Sequence, residues 1–105
     1  MAWIYLLVAG VLEIVWAYSM KQSQGFTRWV PSLVTLTTML VSFWLLAVAM
    51  RTIPLGTAYT IWTGIGAVGA FLVGIGLLAE PVNTMRVVAA LLIVSGLVLM
   101  KLSSS

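Results

Sequence analysis

Four long apolar stretches, separated by three short segments rich in turn-forming and polar residues, are the main pattern along the chain. A membrane-spanning helix needs about 20 apolar residues, because the hydrocarbon layer is about 30 Å thick and a helix rises about 1.5 Å per residue. The stretches predict four such helices, at residues 3–20, 31–50, 56–79 and 84–101. The short connections make consecutive helices antiparallel neighbours. We therefore expect an all-α membrane protein with a single four-helix transmembrane domain over residues 1–105.

The composition restricts the function classes. Hydrophobic residues make up 63% of the 105 positions and charged residues 7%, whereas a soluble domain carries about 25% charged residues. A chain with so few charges cannot cover a water-facing surface, so its partner is expected to be the lipid bilayer. There are no cysteines and no histidines, which excludes disulfides, Cys/His metal sites and Ser-His-Asp or Cys-His catalysis. We expect a non-enzyme with no catalytic residues, no metal and no cofactor.

The basic residues are isolated along the chain and nearly balanced between the two sides of the predicted bundle. Lys21, Arg28 and Arg86 fall on one side, and Arg51 and Lys101 on the other. The orientation of a membrane protein follows the difference in Lys and Arg between its two sides, and here that difference is small. Insertion in both orientations is therefore expected, and insertion in one fixed orientation is an alternative of equal weight. Isolated charges also argue against nucleic acid as a partner, despite a pI of about 9.8.

Glu13 is the one carboxylate near the middle of a predicted span. Such residues are costly to insert and mark ion or proton pathways. No Lys, Arg or His lies at similar depth in another span, so Glu13 either carries a proton or holds an exogenous cation. A buried carboxyl kept protonated by a partner is the structural alternative. On the same helical face lie Gly10, which permits close helix approach, and Trp16, which either donates its indole N–H or simply packs.

Two further spans carry side chains suited to a binding site. Tyr59, Trp62 and Thr63 share one face of the third span, and aromatic faces attract organic cations. In the second span, hydroxyl groups can bond either across helices or back to their own helix, and the two alternatives are even. These hydroxyl residues follow helical spacing: Thr35, Thr38 and Ser42.

Small residues mark possible helix contacts. Residues 64–69 match the dinucleotide-binding motif GxGxxG, but they lie inside an apolar span and follow no strand. We therefore interpret the match as a false positive. Their glycines permit either close helix contact or a bend. The fourth span presents a small-residue face that is a candidate dimer seam. It comprises Ala89, Ala90, Ser95 and Gly96.

Taken together, these residues resemble the small multidrug resistance family over essentially the whole chain, and most closely its guanidinium exporter subtype. The segments that carry the resemblance are GVLEIVWA at 10–17, GFTR at 25–28, PLGTAY at 54–59 and WTGIGA at 62–67. Trp16 and Ser42 together indicate the guanidinium subtype rather than the broad drug exporters.

The resemblance implies an antiparallel homodimer of two oppositely inserted copies in a bacterial inner membrane. Its two copies of Glu13 line one central site and exchange protons for guanidinium or small guanidinyl cations. Gly64 and Gly66 match the bend in the third helix, and the fourth helix supplies the main dimer contact, with Ala89 and Gly96 at the seam. The expected site lining, from the shared faces and the resemblance, is Gly10, Trp16, Ser42, Tyr59, Trp62 and Thr63.

Three alternatives remain open at this point. The first is a broad-specificity exporter of quaternary ammonium and other hydrophobic cations. The second is a structural subunit such as a rotary-ring proteolipid, although a ring subunit usually has two spans. The third is a passive cation channel. A flux that depends on exchange of one ion for another would exclude a channel.

Overall fold

The computed structural model describes residues 1–103, and within that part of the chain the regular elements are four α-helices. Each is long and apolar enough to cross a membrane, and residues 1–103 contain no strand. The predicted all-α class with four spans is confirmed, while the last two residues of the predicted domain lie outside the described range. The helices are α1 (Ala2–Gln22), α2 (Trp29–Ala49), α3 (Leu55–Leu77) and α4 (Thr84–Ser103).

The helix ends differ from the predicted ones by one or two residues, for local reasons. Helix α2 begins at Trp29 rather than 31, which places Pro31 in the first turn. The N–H groups of the first turn have no intrahelical acceptor, so proline, which has no N–H, costs no hydrogen bond there. Helix α3 ends at Leu77 rather than 79, because Ala79 has a φ of 55°, in the left-handed region that cannot continue the helix. Helices α1 and α4 each extend two residues further at the carboxyl end.

The core lies between the first three helices. Helix α1 packs against both α2 and α3, whereas the backbone of α4 approaches α3 alone among the described helices. Helix α4 has no buried residue, so most of its surface is open. The buried hydrophobic side chains are Leu6, Ala9, Leu46, Ala49, Ile53, Ala58, Ile61 and Trp62.

Large apolar side chains cover the outside of the bundle. Trp29 is 82% exposed, Trp44 65% and Leu40 68%, an arrangement that water disfavours and a hydrocarbon layer accepts. The exterior therefore fits a bilayer, and the open face of α4 leaves room for a further helix.

Candidate functional site

Glu13 lies near the middle of α1 and packs directly on α3. Its carboxyl group fills the space beside Gly66, where an added Cβ would overlap the Cδ and Oε1 atoms of Glu13. The Oε1 atom is buried and has no hydrogen-bond partner among the described residues. A buried acceptor without a partner is costly, so this oxygen is suited to take a proton or a donor from a ligand.

Trp16 is one helical turn from Glu13 and holds an unpaired donor. Its Nε1 atom is buried without a hydrogen-bond partner in the described part of the chain, so its indole N–H does not reach Glu13. Its ring packs edge-on against Phe43, with the centroids 6.2 Å apart and the planes at 78°. In this structure Trp16 packs, which was one of the two alternatives, and its buried N–H stays without a partner among the described residues.

Ser42 joins the three core helices through one hydroxyl group. Its Oγ atom donates to the backbone oxygen of Ala9 at 2.7 Å and accepts from Nε1 of Trp62 at 3.1 Å. All three residues are buried. Thr35 and Thr38 instead donate back to carbonyls of their own helix, at 2.7 Å each. Of the two alternatives for the hydroxyls of α2, Ser42 takes the interhelical one.

A row of aromatic rings connects the expected site residues. Phe43 lies between Trp16 and Trp62, 5.8 Å from the Trp62 ring, and Trp62 is 5.6 Å from Tyr59. Tyr59 is 53% exposed and ends the row. Sequence reasoning missed Phe43, because it neighbours Ser42 in the chain and so shares no helical face with it. The row offers several ring faces to an organic cation.

Two further expected lining residues, Gly10 and Thr63, do not belong to the aromatic row. Gly10 is buried against the side chain of Ile65, whose Cγ2 would be 2.7 Å from an added Cβ, so this glycine serves helix contact. Thr63 is exposed and borders a groove between α3 and α4, together with Tyr59. The structure therefore connects Trp16, Tyr59 and Trp62 through ring contacts, and Ser42 through its bond to Trp62. A place for Gly10 and Thr63 in the site lining stays a prediction.

The glycines of α3 face two different helices. Gly64 is covered by Leu97 of α4, and Gly66 by Glu13 of α1, so a Cβ at either position would collide. Helix α3 runs without interruption through both positions. Close contact accounts for both glycines in this structure, and a bend there stays a prediction.

The predicted dimer seam is open. Ala89 and Gly96 are both exposed, and each borders a groove between α3 and α4. An added Cβ on Gly96 would meet nothing within 4 Å among the described residues. A contact through these two residues stays a prediction.

The groups at the site can pair with a proton or a small cation. Residues 1–103 contain no group of three or more His, Cys, Asp or Glu side chains that could hold a metal ion. What the site does hold is an unpaired carboxyl oxygen on Glu13, an unpaired indole N–H on Trp16 and adjacent ring faces. Such a carboxylate is neutralised by a proton or by a cation from outside the protein.

Comparison with known proteins places the chain in a family. A family model described as Small Multidrug Resistance protein matches residues 1–93. The chain belongs to this family. The membership predicted from the sequence is therefore confirmed, and with four apolar helices this small multidrug resistance protein is a multi-pass membrane protein of a transporter family.

Curated relatives within the family are similar over nearly their full length. The chain is 54% identical to a protein of Escherichia coli (strain K12) named "Guanidinium exporter", with 99% of each chain covered. Proteins of the same name from Citrobacter freundii and Salmonella typhimurium are 53% identical, again over 99% of each chain.

Proposed function

We propose that this small multidrug resistance protein exports guanidinium and small guanidinyl cations across a bacterial inner membrane in exchange for protons. Support for the substrate comes from the relatives named guanidinium exporter, at 53–54% identity over 99% of the chain. The observation that carries the mechanism is Glu13, whose buried Oε1 has no partner among the described residues.

The donors and acceptors around the site suit a guanidinium ion. Guanidinium is planar and presents forked N–H pairs, which a carboxylate such as Glu13 accepts in bidentate fashion. Ser42 uses its hydrogen toward Ala9 and one lone pair toward Trp62, which leaves one lone pair for a substrate N–H. A quaternary ammonium ion has no N–H, so it gains nothing from that lone pair.

We further propose that two copies of the chain assemble as an antiparallel homodimer. Helix α4 has no buried residue in the single chain, and Lys and Arg residues are nearly balanced between the two sides. Opposite insertion of two copies makes the dimer an inverted repeat, whose site lies near the midplane of the membrane. Two copies of Glu13 then face one substrate.

The exchange follows from the charge of that dimer site. Two carboxylates bind either two protons or one guanidinium ion, because the bound cation needs ionised oxygens. Protons arriving from the more acidic side displace the cation, and the proton gradient drives export. Each cycle then moves net charge, so transport produces a current.

A broader substrate range is a second candidate, and one observation favours it. The open groove between α3 and α4, of about 580 Å³, is lined mainly by apolar groups and reaches Tyr59 at the end of the aromatic row. An alkyl tail on a quaternary ammonium or guanidinyl cation has room there. Transport of tailed quaternary ammonium ions would place this chain with the broad drug exporters.

Replacement of Glu13 tests the proposed mechanism. Glu13→Gln is expected to abolish proton-driven guanidinium uptake into liposomes, because an amide of the same size cannot exchange a proton. Glu13→Asp is the matched control, since it keeps a carboxyl group and is expected to retain coupled uptake at a reduced rate. Uptake by Glu13→Gln at the wild-type rate would rule out this assignment.

A further inference from the structure

The second carboxylate of the chain is held by an unusual turn at the end of α3. Ala79 has a φ of 55°, which a residue with a Cβ adopts only where the surroundings impose it. This turn directs the N–H of Glu80 back to the carbonyl oxygen of Gly74, at 3.0 Å. The strained residue therefore fixes where the side chain of Glu80 begins.

The carboxylate of Glu80 then packs against α3 itself. An added Cβ on Gly74 would overlap Oε1 of Glu80 and lie 3.0 Å from its Cδ. Glu13 packs on Gly66 in the same manner, eight residues or about 12 Å earlier along α3. Both acidic side chains of the protein thus sit on glycines of one helix, on its side toward α1.

Glu80 lines a pocket of about 200 Å³ between α1 and α3. Tyr18 and Lys21 line the same pocket from α1. Within residues 1–103 the carboxylate of Glu80 forms no hydrogen bond or ion pair, and Lys21 reaches the pocket without bonding to it. The pocket therefore holds an unpaired anion, an ammonium group and an aromatic phenol.

This pocket lies at the outer end of the contact that reaches Glu13. Ile14, the residue after Glu13, lines the pocket and also packs directly on Gly69 of α3. Along α3, Gly66 and Gly69 thus contact side chains of α1, and Gly74 lines the pocket beyond them. Ile14 therefore lies between the two carboxylates, whose supporting glycines are about 12 Å apart along α3.

We propose that Glu80, Tyr18 and Lys21 form an outer docking site for a guanidinium-type cation, seated on Gly74 and distinct from the central site at Glu13. This inference rests on the proposed guanidinium transport. The substrate pairs with Glu80 in bidentate fashion and stacks on Tyr18, while the ammonium of Lys21, a point charge, competes for the same carboxylate. In an antiparallel dimer, each membrane face carries one such site.

The test measures cation binding where the central site cannot take part. The Glu13→Gln dimer carrying fluorotyrosine, in lipid nanodiscs, is titrated with guanidinium chloride and, at matched ionic strength, with tetramethylammonium chloride. The fluorine resonance of Tyr18, assigned with Tyr18→Phe, is expected to shift saturably with guanidinium alone. Adding Glu80→Gln is expected to remove the shift.

Replacement of Lys21 is expected to change guanidinium binding in the opposite direction to replacement of Glu80. Lys21→Gln is expected to tighten guanidinium binding by about two- to fivefold, the range that one exposed ion pair supplies. Arg28→Gln is the matched control, because it removes the same charge from the same side and does not line the pocket. Since Lys21→Gln leaves Glu80 and Gly74 in place, the proposal remains testable if the Glu80 variant does not assemble.

Two results would overturn the docking site: an unchanged Tyr18 shift in the Glu80→Gln background, or an equal shift with tetramethylammonium. Equal effects of Lys21→Gln and Arg28→Gln would remove Lys21 from the site. Wild-type guanidinium uptake is measured on the same preparation. A saturable Tyr18 shift without wild-type uptake contradicts the proposed function alone, and uptake without a saturable shift contradicts the docking site alone.

Discussion

At the residue scale, the hydroxyl of Ser42 links the side-chain chemistry of the site to its packing. It accepts from the indole of Trp62 and donates to the backbone of Ala9, so one buried group aligns three helices. Neither partner is exposed to water that could replace the bond. The orientation of Trp62, and with it the aromatic row, depends on this hydroxyl.

Ser42→Ala is therefore expected to weaken guanidinium transport more than transport of a quaternary ammonium ion. The alanine leaves the indole N–H of Trp62 unpaired, at a cost of about 1–3 kcal/mol, and removes an acceptor that only an N–H donor uses. Apparent affinities measured from uptake by liposomes check this. Thr38→Ala, which removes a hydroxyl bonded within its own helix, is the control and is expected to change little. Equal losses for both cations in Ser42→Ala would contradict the role.

The sequence identifies candidate site residues where a side chain is chemically unusual for an apolar span. Glu13 stood out because a carboxylate is costly in an apolar span, and the faces of Tyr59 and Trp62 followed from helical spacing. Phe43 gave no signal, since one more apolar side chain in an apolar span is unremarkable there. The contact between Glu13 and Gly66 also needed the structure, because it depends on how α1 crosses α3.

At the element scale, α3 carries glycines that lie against neighbouring side chains. Gly64 meets Leu97, Gly66 meets Glu13 and Gly69 meets Ile14, so this one helix packs closely on both α4 and α1. A Cβ at any of these positions would displace the end of the neighbouring side chain. The close approach of α3 to α1 is what buries the carboxyl of Glu13.

Gly66→Ala is expected to reduce guanidinium uptake at least about tenfold, because its Cβ displaces the carboxyl of Glu13 and a shift of about 1 Å at a reacting group costs orders of magnitude. Gly76→Ala in the same helix is the matched control. An added Cβ there meets nothing within 4 Å, and replacing a helical glycine slightly favours the helix. Uptake rates normalised to reconstituted dimer give the comparison. Equal rates for the two variants would show that the contact with Gly66 is not needed.

The elements themselves were more predictable than their packing. Span length is set by the bilayer, so four apolar stretches of the right length identified four helices. The helix ends differ from the predicted ends where local backbone conformation stops the helix, as at Ala79 with its positive φ. The sequence did not indicate which face of each helix lies inward. Lipid and protein core are equally apolar, so a membrane helix shows little of the amphipathic pattern that marks the inner face in a soluble protein.

At the scale of the whole molecule, a single chain leaves its fourth helix largely uncovered. Helix α4 has no buried residue, and among the described helices its backbone approaches α3 alone. In the proposed antiparallel dimer, a second copy would cover this surface and supply a second Glu13. The near balance of basic residues between the two sides permits that arrangement.

Biasing the insertion tests the antiparallel arrangement. Adding Gln24→Lys and Val82→Lys gives five basic side chains against two and is expected to fix one orientation and lower activity strongly. Co-expression with a copy carrying Thr52→Lys and Arg28→Gln, which shifts the bias the other way, is expected to restore activity. Cysteine labelling from each side reports the orientation. Full activity from a single fixed orientation would contradict the antiparallel dimer.

Substrate-evoked current from purified protein in liposomes tests the central claim most directly. Exchange of two protons for one monovalent cation carries net charge, so guanidinium is expected to evoke a clear current in the wild-type protein. A tetraalkylammonium ion is expected to evoke little, and Glu13→Gln none with either cation. Absence of a guanidinium current, or an undiminished current in Glu13→Gln, would contradict proton-coupled guanidinium export through Glu13.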